Sequence, residues 1–288
     1  MMRSLVAAAI AAISVALPVM AAPAVAQERF TVEVTGRGPD VILIPGLASS
    51  RDVWDATVKQ LSATHRVHAV QVKGFAGEPA GPNAEGPVIP ALVEEVAAYA
   101  GKLTSPAIIG HSIGGLIAQE VAARQPKVER IMVVDALPFY SLLFGPQATV
   151  EMVKPQAERM RSQILGMSQA QFAAGQEQGM RMYVKTEAKR AAPTEWSLKS
   201  DRKVAAQAMY DATIEDARPL LPSIKAKATV LYAYDPAMGR PAAFVDQTYA
   251  SAYAGLTGVK LTRVDGAFHF LMLDQPEVFA REVGEFLK

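Results

Sequence analysis

A chain of 288 residues, half of them apolar, can bury one large core or two modest ones. Its 29 basic and 28 acidic residues give a formal charge of +1, which carries no electrostatic signature of a nucleic-acid partner. The absence of cysteine excludes disulfides, metal thiolates and a cysteine nucleophile, so stability has to come from packing.

The first 26 residues carry one charged side chain, Arg3, followed by an uncharged apolar run from Leu5 to Val19 and the small-x-small triplet Ala24-Val25-Ala26. The pattern predicts a secretory signal peptide cleaved after Ala26, because the apolar run is short for a membrane span and closes on small residues. The expectation is a periplasmic or secreted protein with no stable membrane anchor once the leader is removed.

Phe30 to Val34 then alternates as a half-buried strand, and Gly36-Arg37-Gly38-Pro39 turns it into the continuous apolar strand Val41 to Ile44, which Pro45-Gly46 ends. Trp54 to Leu61 reads as a helix and Arg66 to Val72 as a strand. A Gly/Pro-rich loop spans Gly74 to Pro90, and helix formers fill Ala91 to Leu103. The apolar run Pro106 to Ile109, the helical sequence Leu116 to Ala123 and the buried strand Arg130 to Val134 follow. Strand and helix alternate, which predicts an α/β fold: a mostly parallel sheet with helices on both faces.

The rhythm changes over residues 136–227, where helical patterns carry Met152, Met160, Met167, Met180, Met182 and Met209 with no convincing core strand. This segment reads as a helical insertion, a cap or lid, between two halves of the core, 27–135 and 228–288. Its methionines suit core filling, and equally a flexible cover over a site, with Phe139, Tyr140, Leu142, Leu143 and Phe144 lining an acyl pocket. The sheet resumes at Ala228 to Ala233. A helix from about Ala243 to Ala254, a strand from Val259 to Val264 and a helix from Pro276 to Leu287 complete the chain.

The chemistry centres on Gly110-His111-Ser112-Ile113-Gly114-Gly115, a G-x-S-x-G pattern between a strand and a helix. Such a turn lifts the serine hydroxyl clear of the fold, and it is so sharp that only small residues fit two positions before and after the serine. A serine nucleophile needs a base, and the chain has four histidines. His65 and His68 flank or enter an early strand and His111 lies within the turn, positions that suit structural roles. His269, in the loop after the last strand, is the candidate base.

Two aspartates at strand ends compete to orient it. Asp235, on a turn before Pro236, is the first choice and Asp135, directly after Val134, the alternative; both preserve the chain order Ser, Asp, His. Asp265 and Asp274 are weaker candidates. The backbone N–H groups of Ile113 and Leu47 are the expected oxyanion donors. There is no H-E-x-x-H, no Walker A pattern and no G-x-G-x-x-G after a strand, so neither metal nor cofactor is expected.

The Pro45-Gly46 turn, the Gly-His-Ser-Ile-Gly-Gly motif, the helical segment between two late strands and the terminal Gly266-x-x-His269-Phe270 loop together resemble the α/β-hydrolase fold superfamily over nearly everything after the leader. The resemblance implies a serine hydrolase, carboxylesterase-like, acting on a small-molecule ester through Ser112, His269 and an aspartate. A lactonase, a carbon–carbon bond hydrolase or an amidase would use the same machinery. A non-catalytic ligand-binding module on the same fold is the reading from another class. Two departures stand out: Pro-Gly replaces the His-Gly of many relatives, and Tyr232-Ala233-Tyr234-Asp235 departs from the usual Gly-x-x-Asp, which keeps Asp135 in contention.

Overall fold

The computed structural model describes residues 28–288, so the leader-like segment lies outside the described residues. Strand β1 (Phe30–Gly36) runs antiparallel to its neighbour at the sheet edge. The remaining strands, β2 (Asp40–Ile44), β3 (Arg66–Val72), β4 (Ala107–His111), β5 (Arg130–Val134), β6 (Lys227–Tyr234) and β7 (Lys260–Asp265), are parallel, in the order β1-β3-β2-β4-β5-β6-β7. Between them come α1 (Asp55–Leu61), α2 (Ile89–Ala100), α3 (Ile113–Arg124), α4 (Val150–Gly166), α5 (Gln169–Tyr183), α6 (Ala191–Lys199), α7 (Arg202–Ile214) and α8 (Ala242–Ala252), with a short α9 (Leu271–Asp274) and α10 (Pro276–Phe286) closing the chain. The expected elements are present with ends shifted by a residue or a few. The loop after β3 is a little shorter than expected, since α2 begins at Ile89, with Pro90 in its first turn where a missing N–H does no harm.

Successive strand residues point to opposite faces, and both faces are covered. On one, Ile42, Ile44, Ile108, Ile131, Val133 and Val230 pack against α2, α3 and α8. On the other, Val41, Leu43, Ile109, Met132, Val134 and Leu231 meet Leu61 of α1 and Phe279 and Val283 of α10, where the Trp54 and Phe279 rings stack. The central strands therefore read as unbroken apolar runs, while exposed edge strand β1 alternates. Among the described residues no strand interrupts the stretch between β5 and β6, where α4 packs along α7 and α5 along α6.

Helix α3 carries one buried carboxylate outside the site. Glu120 is 1% exposed with one oxygen unpartnered, and burial, reinforced by Glu215 and Glu94 and opposed by Arg124, raises its pKa from 4.5 to about 7. Between those values the folded chain holds a proton that the unfolded chain has released, so this contribution to stability is full below pH 4.5 and falls as the pH rises to 7. The expected loss is on the order of 3 kcal/mol. Urea unfolding between pH 5 and 8 checks it, and Glu120→Gln should flatten the slope.

Candidate active site

Strand β4 ends against the elbow. Ser112 sits at φ +53°, a left-handed conformation that is strained for a residue with a Cβ. Its N–H donates to Val134 O at 2.9 Å and its own carbonyl caps α3 through Gly115 and Leu116. The flanking glycines are required by contact. A Cβ on Gly110 would lie 2.1 Å from Gly114 O, and one on Gly114 2.3 Å from Ile44 O. The latter contact jams the start of α3 against the end of β2, which brings the Pro45-Gly46-Leu47 turn to the serine: a Cβ on Gly46 would lie 3.1 Å from Ser112 Cβ. Among the described residues neither the Leu47 nor the Ile113 N–H is engaged in a hydrogen bond, so both expected oxyanion donors are free.

His269 arrives on the loop after β7, and its Nδ1 lies 2.7 Å from Asp135 Oδ2. The ring of His111 connects it to the elbow: the two imidazole centroids are 4.6 Å apart and His111 Nε2 meets His269 O at 3.0 Å. Burial and the neighbouring His269 hold the His111 pKa well below the usual histidine range, so His111 packs as a neutral ring, in keeping with its structural reading. His68 is likewise structural, buried between Asp40 and Tyr99.

Asp235, the first-choice acid, does not meet His269. Its carboxylate takes the ammonium of Lys185 at 2.6 Å and the Ala237 N–H at 2.9 Å, and those two contacts hold its pKa below the ordinary value. The reason is register. Val134 pairs with Leu231, so Asp135 follows β5 at the level where β6 still has three residues to run before Asp235. At about 3.3 Å per residue Asp235 is carried roughly 10 Å past the level of Asp135, up to Lys185 just after α5. Asp135 instead turns out of its strand at φ +48°. Its second oxygen accepts the Ala233 N–H at 2.9 Å and the Tyr249 hydroxyl at 3.1 Å. Tyr249 belongs to a stack with Tyr232 and Tyr253, and the Tyr253 hydroxyl is bonded to Ala136 O at 2.7 Å. Neither Tyr249 nor Ala233 is flagged by any motif; both act through a carboxylate whose position depends on strand register.

The helical stretch between β5 and β6 reaches the site at two places. Tyr140, at its start, lies against Ser112, and the Tyr183 ring, at the end of α5, is 5.5 Å from the His269 ring. Asp274 fastens the two parts: one oxygen accepts the Thr186 N–H and the other the N–H groups of Lys185 and Phe268. Asp274 is thus a clasp, while Asp265 pairs with Arg263 at the exposed end of β7. Ser112 is left only 8% exposed. A hollow of about 570 Å³ between α5 and α6, lined by Arg181, Arg190 and Glu177 among others, shares no residue with this site.

The site thus holds a strained serine between a strand and a helix, a histidine bonded to a strand-end aspartate and two unpaired amides. The chain belongs to the alpha/beta hydrolase family, whose model matches residues 41–282. It is 36% identical over 97 residues to the pimeloyl-[acyl-carrier protein] methyl ester esterase of Aeromonas hydrophila, spanning 34% of this chain and 37% of the relative. It is 35% identical over 109 residues to the same esterase from Chromobacterium violaceum, spanning 37% and 41%. The match thus covers about two fifths of these relatives' length. Among solved structures, an esterase from Exiguobacterium antarcticum superposes with a TM-score of 0.76 at 18% identity, covering 92% of this chain and 97% of that one. The enol-lactonase from Burkholderia xenovorans LB400 gives 0.69 at 20% identity, covering 90% and 96%. At such identities the likeness is one of fold.

Proposed function

We propose that the protein is a serine hydrolase that cleaves a carboxylic ester through Ser112, His269 and Asp135 by way of an acyl-enzyme. The observation that carries this reading is the bond from Asp135 to His269 Nδ1. It fixes the imidazole with Nε2 free to take the Ser112 proton as the hydroxyl attacks the ester carbonyl, and it stabilises the imidazolium that results. Charge that develops on the carbonyl oxygen is met by the N–H groups of Leu47 and Ile113, the latter at the positive end of α3. Collapse of the tetrahedral adduct breaks the bond to the alkoxy oxygen, which leaves with the proton from His269. Water, deprotonated by the same imidazole, then releases the acid and restores Ser112.

The ester assignment is supported by the methyl ester esterases among the relatives. A lactone is an intramolecular ester and fits the same steps. The leader pattern around Arg3, Leu5 to Val19 and Ala24-Val25-Ala26 extends the reading to an exported enzyme. A chain-length series of p-nitrophenyl esters assayed beside a lactone panel tests the assignment. Turnover of short esters that disappears in Ser112→Ala is the expected result. Turnover of lactones alone would transfer the protein to the lactonases, and no turnover of either would leave a binding module.

A further inference from the structure

We propose that the Tyr140 hydroxyl is a catalytic hydrogen-bond donor that bonds the alkoxy oxygen of the bound ester as that oxygen leaves; the inference rests on the ester-hydrolase reading of Ser112. Three tyrosine hydroxyls gather around Asp135. Tyr249 gives its proton to Asp135 and Tyr253 gives its own to Ala136 O. The Tyr140 hydroxyl is buried and has no well-formed partner, while the Ser112 hydroxyl is near enough to oppose the rise in its pKa. Buried hydroxyls are nearly always satisfied, and leaving one orphaned is unfavourable. At this one the missing acceptor is an oxygen that arrives with the substrate.

Topology says which oxygen. Strand β4, which carries Ser112, lies between β2 and β5. The Leu47 amide approaches from the β2 flank, where the carbonyl oxygen must sit. Tyr140 opens the turn that follows β5, and its phenol lies within reach of the charge on Asp135, which puts it on the β5 flank, the side from which Asp135 holds His269 and from which the proton is returned. The oxygen turned to that flank is the alkoxy oxygen. Burial, helped by the charge on Asp135, holds the phenol pKa far above its ordinary value, so Tyr140 is a donor and never a base. It keeps its proton throughout. The proton that ends on the alcohol comes from His269 Nε2, while Tyr140 spreads the charge that builds on the oxygen as the carbon–oxygen bond breaks.

The signature is a dependence on leaving group. An alkyl ester expels a basic alkoxide and needs the donor; a p-nitrophenyl ester expels a stable phenolate and does not. Tyr140→Phe, which removes only an unpartnered hydroxyl, should lower kcat on ethyl butyrate by about 10- to 100-fold. On p-nitrophenyl butyrate the loss should stay within about threefold, with an unchanged rate of fluorophosphonate labelling and an unchanged Tm. Equal losses on both esters, or none on either, would overturn the proposal. Wild-type protein inactive on both esters would instead remove the hydrolase reading beneath it.

Discussion

Asp135→Asn should reduce kcat on a p-nitrophenyl ester by about 10³- to 10⁴-fold, whereas Asp235→Asn should leave it within about threefold. The first change keeps the shape of the side chain but removes the charge that selects the tautomer of His269 and offsets its cation. An asparagine amide at Oδ2 would also present a donor to Nδ1–H, where an acceptor is needed. The second change loses only the pair with Lys185, a half-exposed ammonium just after α5. Tyr249→Phe should fall between the two, with a loss of about tenfold, because Asp135 Oδ1 retains the Ala233 N–H when the phenol is gone. Steady-state kinetics on the three variants, with circular dichroism to confirm folding, checks the set.

Gly114→Ala is expected to be as damaging to the fold as Asp135→Asn is to turnover. The new methyl would meet two backbone oxygens, Ile44 O at 2.3 Å and Pro45 O at 2.7 Å, neither of which can rotate away. Relief requires α3 to lift from β2, which separates the Ile113 amide from Leu47 and unpacks a helix buried on nearly every side. A loss of about 3 kcal/mol or more is expected, roughly 6–12 °C in Tm, together with loss of the site. Gly175→Ala provides the contrast. That glycine lies within α5 with nothing near the added carbon, so the change should stabilise by about 0.5–1 kcal/mol. Thermal unfolding of both variants by calorimetry gives the comparison.

Much of this was legible in the sequence for identifiable reasons. The parallel strands are buried on both faces and so appear as unbroken runs such as Val41 to Ile44, and their Gly and Pro terminators are equally plain. The elbow is legible because its geometry forbids side chains at 110 and 114, and that prohibition is written in residue identity. His269 follows from its place after the last strand. Its carboxylate partner does not, since Asp135 and Asp235 both end neighbouring parallel strands, and only the pairing of Val134 with Leu231 decides which carboxylate meets the imidazole. Register is a relation between distant segments, and no local pattern encodes it. For the same reason Lys185, Tyr249 and the Asp274 clasp were invisible: each works through a partner at least 50 residues away.

The identity of the nucleophile underlies every other assignment, and its chemistry can be read directly. Incubating the folded protein with a fluorophosphonate, followed by intact mass measurement and peptide mapping, should show one adduct per chain, located on Ser112, and none in Ser112→Ala or after heat denaturation. An unmodified Ser112 in folded protein that is otherwise intact, or an adduct at another residue, would contradict the account.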